Sequence, residues 1–188
     1  SAREEEAHDE PPRLDSAERK SYFHLPNGLR NVVAEIRNPS NRVCFVLACG
    51  YFRAARRFFS QAPHPRDLEY VCAKLGDQPE AVCIDAYHRA TAMRHRRLIL
   101  SHYGFQEFDQ ARGNLETEIA SMVRSQLKPR LIFHRAVDIL AEQKVALPSS
   151  DALGKLILEA INHRRQELVK IIDRNLSAET RGLLDQLL

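Results

Sequence analysis

Apolar residues along this chain recur at the three- and four-residue spacing of α-helices, and no sustained alternation of apolar and polar residues indicates a β-strand. The stretch from Val43 to Phe52 is apolar on nearly every side, which is typical of a helix in the middle of a core. Glycines, prolines and capping residues separate the other apolar stretches. The pattern predicts an all-α fold of about nine or ten helices. They cover residues 16–23, 28–37, 40–54, 67–75, 79–87, 89–103, 111–126, 130–142, 150–174 and 177–188.

The connection around Gly104 to Gln110 divides these helices into two groups. We therefore expect two packed helical subdomains, residues 16–108 and residues 109–188. Ahead of them, residues 1–15 carry six acidic side chains against only Arg3 and Arg13. This composition predicts that residues 1–15 form a disordered acidic segment.

The net charge of +3 understates how unevenly charge is distributed. Without residues 1–15, 26 basic and 19 acidic side chains remain, a net charge of +7. Two stretches contain no acidic residue at all. One holds Arg37, Arg42, Arg53, Arg56, Arg57 and Arg66, and the other holds Arg89, Arg94, Arg96 and Arg97 with His88, His95 and His102. Such stretches are typical of a surface that binds a polyanion, although arginines also solvate ordinary helix faces.

Residues 67–84 resemble a helix-turn-helix motif. Small Cys72 lies four residues before Gly76, and Val82 follows six residues after it, which matches the small residue, the tight turn and the packing contact of that motif. Many other helical corners share this spacing. The helix predicted after the turn carries two acidic side chains, so the basic helix that begins at Arg89 is the better candidate for a DNA groove.

On that basic helix, His88, His95 and His102 recur every seven residues beside Arg89 and Arg96. Seven residues are nearly two helical turns, so these five side chains share one face. One hypothesis is a stripe that contacts phosphates or bases, and the other is an ordinary solvated face. Metal binding is not predicted, because seven-residue steps of about 10 Å are too long for ligands of one ion.

The sequence offers no sign of a cofactor, a metal site or a disulfide framework. The four cysteines, Cys44, Cys49, Cys72 and Cys83, form no CxxC pair and are followed by no paired histidines at zinc-ligand spacing. No secretion signal accompanies them. We expect buried thiols that act as small apolar side chains.

Catalysis and membrane insertion are also not predicted. The sequence lacks a phosphate-binding loop, a GxSxG or HExxH motif and a glycine-rich dinucleotide loop. Carboxylates on the later helices, Glu116, Glu118, Asp138 and Glu142, lie beside basic residues and are interpreted as surface charges. The longest nearly apolar run is far too short to cross a bilayer, so we expect an intracellular protein with no membrane partner.

An ordered set of motifs resembles the N-terminal DNA-binding region of Tn-three-family transposases, the class II replicative transposases. The motifs are Tyr22-Phe23-x-Leu25-Pro26, Arg37-x-x-x-Asn41-Arg42, Tyr51-Phe52-Arg53, Leu68-x-Tyr70-Val71-x-x-x-Leu75-Gly76, Tyr87-x-Arg89-x-Thr91-x-x-x-His95, Tyr103-Gly104-Phe105-x-x-Phe108, Val145-x-Leu147-Pro148, Arg164-Arg165 and Leu176-Ser177. The chain departs from the family pattern at Val43-Cys44, Arg94 and Pro148-Ser149. These departures bear on base contacts more than on the fold.

The resemblance implies a non-catalytic part of a transposase that recognises the terminal inverted repeats of a transposon in duplex DNA. In that family, strand transfer belongs to a distant Asp-Asp-Glu metal site, so the resemblance assigns no catalytic residue to this chain. It also implies contact with other domains of the same transposase, and a location in a bacterial-type cytoplasm, at the nucleoid when DNA is bound.

Candidate DNA-contacting residues come from the basic stretches and from the resemblance. They are Arg42, Arg53, Arg56, Arg57, Arg89, Arg94, His95, Arg96, Arg97, Lys128, Arg130, Arg164 and Arg165. The alternative is a helical interaction module that forms a homodimer or docks the other transposase domains. Under that alternative, an apolar stripe of Leu183, Leu184, Leu187 and Leu188 would remain partly exposed in the isolated chain.

Overall fold

The computed structural model describes residues 9–176 and confirms the all-α class. Within that range there are eight α-helices. They are α1 (Ser16–Tyr22), α2 (Asn27–Glu35), α3 (Pro39–Ala55), α4 (Pro65–Leu75), α5 (Arg89–Tyr103), α6 (Phe108–Arg124), α7 (Pro129–Glu142) and α8 (Ser150–Asn175). None of these helices is both long and apolar enough to cross a membrane.

The predicted count of nine or ten helices is slightly too high. Residues 79–87 form two 3-10 turns, Pro79–Ala81 and Ile84–Ala86, in place of the predicted α-helix. The backbone between them is extended at Val82 and Cys83, and the Cys83 amide donates to the Ser40 hydroxyl at 2.9 Å. Residues 67–84 are therefore not a pair of α-helices. The helix predicted at 177–188 lies outside the described residues.

Helix α3 is the centre of the first part of the fold, as its apolar sequence predicts. Asn38 accepts from the Asn41 amide at 2.9 Å and caps its first turn. The helix ends where Arg56 adopts a left-handed backbone conformation, with φ 58°. Helices α1, α2, α4 and α5 all pack against it. Most of its side chains between Val43 and Phe52 are buried.

The end of α1 packs directly on the backbone of α3. The Phe23 ring is fully buried and lies against Gly50. A Cβ atom at position 50 would lie 2.1 Å from Phe23 Cδ1, closer than any tolerated contact. Glycine is therefore required at this position by close packing, and it fixes how near α1 approaches α3.

The described residues cluster into two compact units that are not consecutive along the chain. Among the described residues, the first unit comprises residues 9–111 together with Asp138–Ser150, and the second comprises Arg112–Val137 and residues 151–176. In the first unit, the Gln106 amide donates to Lys144 O at 2.9 Å, and the Ala146 amide donates to Gln106 O at 3.0 Å. The division at residue 108 made from the sequence remains a prediction.

Residues 9–15 belong to the first unit and contact other parts of it, while the expected disorder of residues 1–15 stays a prediction. Asp9 forms an ion pair with Arg57 at 2.5 Å and accepts from the amide and hydroxyl of Ser150. Leu14 is buried, and the Asp15 side chain caps α1 by accepting from the Glu18 amide at 2.8 Å. Residues 1–8 lie outside the described range.

Three of the four thiols are buried, as expected, but Cys83 is exposed. Burial raises the pKa of Cys44 to about 12 and that of Cys49 to about 11, and it also raises the pKa of Cys72. Cys83 is exposed because it lies between the two 3-10 turns and not on a core-facing helix.

Candidate nucleic-acid interface

Helix α5 presents a basic face to solvent. It begins after His88 and ends at Gly104, whose positive φ of 68° favours glycine. Its exposed residues are Arg89, Ala90, Met93, Arg94, Arg97, Leu98, Ser101 and His102. At 100° per residue, most of them lie within about half of the helix circumference. The helix contains no acidic residue, and its nearest ion-pair partner is Glu107, whose carboxylate lies 3.6 Å from Arg97 Nε.

His95 lies on the opposite, core-facing side of α5, so it does not belong to a solvent-facing stripe. Its side chain is 1% exposed, and its ring packs edge-on against Phe45. The Tyr87 hydroxyl lies 2.8 Å from Nδ1 and donates to it in the neutral tautomer whose proton is on Nε2. Burial, followed by the nearby Arg94, lowers the pKa of His95 to about 4. The ring is therefore neutral and structural at physiological pH.

Arg96 also turns towards the core side of α5. Its guanidinium lies 4.9 Å from the centre of the Phe58 ring. Its Nε atom is buried without a hydrogen-bond partner among the described residues. Together with Arg89 and Met93 it lines a groove of about 630 Å³ between α5, α3 and the segment that contains Phe58. Arg96 is thus at the edge of the exposed basic face and not at its centre.

The three arginines at the end of α3 lie in different surroundings. Arg53 Nη1 donates to the carbonyl oxygens of Ser21, Tyr22 and His24, at 2.7 to 2.8 Å. Arg57 is 5% exposed, and its guanidinium lies 5.0 Å from the centre of the Phe59 ring in addition to its ion pair with Asp9. Arg56 is exposed and lies over the ring of Phe105. These arginines do not form one basic patch.

The remaining sequence candidates are distributed over both units. Arg42 pairs with Asp77, with its Nη2 atom 2.5 Å from Oδ1. In the second unit, Lys128, Arg130 and Arg165 are exposed. Arg164 forms an ion pair with Glu167 at 3.1 Å, one helical turn away.

Two cations that the sequence reasoning did not select lie near Arg42. Arg30 Nε donates to Leu25 O, and Lys74 Nζ donates to Phe23 O, both at 2.9 Å. Neither lies in a run of basic residues, so no local signal in the sequence distinguishes them from solvated surface charges. They come together because α2 and α4 both pack against α3.

Comparison with known proteins assigns this chain to a family. A family model described as "Domain of unknown function (DUF4158)" matches residues 1–160. The chain belongs to the DUF4158 family. This match covers the whole basic face of α5 and the core around α3.

A relative of this DUF4158 chain is the "Transposase for transposon gamma-delta" of Escherichia coli (strain K12). The two proteins are 27% identical over 155 residues, which cover 79% of this chain and 16% of the relative. The chain therefore spans a small part of the length of that transposase. Together the matches confirm the resemblance to the N-terminal region of Tn-three-family transposases.

Proposed function

We propose that this chain binds duplex DNA through the exposed face of α5 and recognises the terminal inverted repeats of a transposon as a non-catalytic part of a transposase. The observation that supports it is the face itself, which carries Arg89, Arg94 and Arg97 on a helix with no acidic residue. An α-helix fits the major groove of B-DNA, which is about 12 Å wide. The proposed location of the chain is the bacterial cytoplasm, at the nucleoid when DNA is bound.

The positions on α5 suggest different contacts for its arginines. Arg89 and Arg94 lie about 140° apart around the helix, so they would reach the phosphates on the two walls of the groove. Arg97 and Met93 lie between them and would face the base edges. An arginine there can donate to both acceptors of a guanine, and an apolar side chain can contact the methyl group of a thymine. Arg97 and Met93 are therefore the proposed determinants of sequence preference.

Binding to the element's own inverted repeat, compared with a scrambled duplex across a salt series, tests this function. We expect a preference for the repeat of at least about 4 kcal/mol. Arg97→Ala should cost about 1–3 kcal/mol on the repeat and much less on the scrambled duplex. Arg94→Ala should weaken both complexes similarly and reduce the salt slope by about one. Arg66→Ala, an exposed cation on α4, is the matched control.

The proposal fails if Arg94→Ala and Arg97→Ala bind both duplexes as the wild type does. Equal and weak binding of the wild type to both duplexes would assign sequence preference to other regions of the transposase. Metal-dependent nicking of DNA by the purified chain, abolished by a single carboxylate substitution, would contradict the non-catalytic role.

A second candidate function is association with another copy or with other transposase domains. It is favoured by exposed apolar side chains on α8, of which Leu158 is 58% and Ile172 is 54% exposed. Leu168, Val169 and Ile171 are exposed on the same helix. The stripe of Leu183, Leu184, Leu187 and Leu188 lies outside the described residues. A mass near twice 21.5 kDa in sedimentation equilibrium, reduced to one copy by Ile172→Glu, would support this function.

A further inference from the structure

A second cationic site lies at the turn between α1 and α2. A cavity of about 390 Å³ is lined by Arg30, Arg42 and Lys74. Its floor is apolar, with Val33 and Val46 among the lining side chains. No acidic side chain is among the described residues that line it. The cavity therefore combines three cations with a floor that carries no compensating charge.

The partners of these cations fix their positions but leave most of their charge uncompensated. Arg30 and Lys74 donate to the backbone carbonyls of Leu25 and Phe23, which are dipoles and not anions. Of the three, Arg42 has a carboxylate partner, Asp77, just outside the lining. Burial, and then the positive charges of Arg30 and Arg53, lower the pKa of Lys74. The electrostatic potential at the cavity is thus positive, and an anion there would be stabilised.

The cavity lies on the other side of α3 from the groove beside α5. Arg42 and Val46 of α3 line the cavity, whereas Cys44 and Tyr51 line the groove. From Arg42 to Cys44 the helix turns by about 200°, and from Val46 to Tyr51 it turns by about 140°. A duplex that receives α5 in its major groove faces one side of α3. The cations of the cavity lie on another side of α3, so a duplex segment that reaches them need not be the one that α5 contacts.

We propose that the Arg30–Lys74 cavity binds backbone phosphate of a second segment of duplex DNA, separate from the segment that α5 contacts. Arg30 and Lys74 each retain donor hydrogens beyond those used on the carbonyls, and these would bind the phosphate oxygens. The apolar floor would accept the deoxyribose beside it. No base is read, so this contact is independent of sequence. The proposal rests on the proposed function in one respect, namely that DNA is the polyanion.

Capture of a second duplex by one chain tests the proposal. Donor-labelled and acceptor-labelled duplexes are mixed with the full chain, and energy transfer between them reports two duplexes on one particle. Sedimentation of the same particles gives the number of chains, so bridging by two chains is recognised. The cavity variant is Arg30→Gln with Lys74→Gln, the α5 variant is Arg94→Ala with Arg97→Ala, and Arg66→Gln is the control.

We expect the cavity variant to bind the first duplex within about twofold of the wild type, while capture of the second falls about tenfold or more. The salt slope of the second capture should fall by about two, one for each lost cation. The α5 variant should still bind one duplex through the cavity. If α5 does not bind DNA, its variant leaves binding unchanged and the cavity variant removes it, so the two proposals fail separately.

Unchanged capture of the second duplex by the cavity variant would overturn the proposal. So would equal loss of both duplexes, since that outcome means one continuous surface. Because Arg30 and Lys74 also hold backbone carbonyls, the unfolding midpoint of each variant is measured first. If the double variant does not fold, the single variants Arg30→Gln and Lys74→Gln replace it, with a slope change of about one each. Charge-preserving Lys74→Arg must then capture the second duplex as the wild type does.

Discussion

Arg53 Nη1 lies 2.7 Å from the carbonyl oxygen of Tyr22, at the C-terminal end of α1. The same nitrogen also donates to the carbonyls of Ser21 and His24. The last carbonyls of a helix have no partner within the helix and carry the negative end of its dipole. An arginine from α3 therefore caps α1, and its positive charge has a structural role that its place in a basic stretch of sequence conceals.

Replacement of this arginine should destabilise the fold. Arg53→Met keeps the length of the side chain but removes every donor, and hydrogen bonds to charged groups contribute about 1.5–3 kcal/mol. Since one nitrogen serves all three carbonyls, we expect a loss of about 2–3 kcal/mol in the free energy of unfolding, measured with urea. Arg66→Met, on an exposed position of α4, should change it by less than about 0.5 kcal/mol. Equal effects of the two substitutions would contradict the capping role.

Gly50→Ala should destabilise the first unit. The new Cβ would lie 2.1 Å from Phe23 Cδ1, so the ring or α1 must move, and overpacking of this kind costs about 1–3 kcal/mol. Gly113→Ala is the matched control, because position 113 is helical and has no atom within 4 Å of a new Cβ. It should stabilise α6 by about 0.5–1 kcal/mol. Thermal unfolding of both variants gives the comparison, and a neutral Gly50→Ala would refute the close packing.

Acidification should destabilise the protein through His95. Its pKa is about 4 in the folded chain, below the ordinary value of 6.5, so between these values the unfolded chain binds a proton that the folded chain does not. Protonation of His95 does not reduce the free energy of unfolding above pH 6.5, and it reduces that free energy progressively as the pH drops towards 4. The expected loss between pH 7.5 and pH 5 is about 2 kcal/mol.

Urea unfolding of His95→Gln at the same two pH values isolates this contribution. The variant should lose about 2 kcal/mol less on acidification than the wild type does. His88→Gln, at an exposed histidine, is the matched control substitution. A His95→Gln profile that runs parallel to the wild type would show that the ring is protonated in the folded state.

One thiol should react in the native protein. Cys83 is exposed, whereas Cys44, Cys49 and Cys72 are buried with raised pKa values, and the thiolate is the reactive form. A maleimide should add one label to the folded chain within minutes and four labels after denaturation, as counted by mass spectrometry. Cys83→Ser should abolish the fast label. Two or more fast labels in the wild type would contradict the burial of the other three.

The sequence predicts this fold well where the signal is local. The apolar run of α3 identifies the core helix, because a helix that is buried on every side has apolar residues at nearly every position. The pattern did not predict the 3-10 turns in residues 79–87, because the Cys83 amide donates to Ser40, 43 residues away, and not to a helical carbonyl. The burial of Asp67 was not predicted either, because its partners Arg19 and Tyr51 lie 48 and 16 residues away in sequence.

The candidate site follows the same rule. The basic composition of α5 is local and visible, and so is the absence of acids from it. Which side of the helix faces solvent depends on the packing of His95 against Phe45, and that contact joins two helices. The roles of Arg53 and Arg57 depend on Tyr22 and Asp9, which are distant in sequence. Charge alone therefore predicts a basic helix but not which of its side chains face solvent.

The first compact unit is assembled from two separate stretches of chain. Between these two stretches, Arg112–Val137 belong to the second unit, and Asp138–Ser150 belong again to the first. In the first unit, Lys144 O accepts from the Gln106 amide and the Ser150 amide donates to Asp9. A single recombination crossover within Arg112–Val137 would join the first stretch of one relative to the second stretch of another. Such a crossover would separate the α5 face from a segment of the same compact unit that lies more than thirty residues downstream.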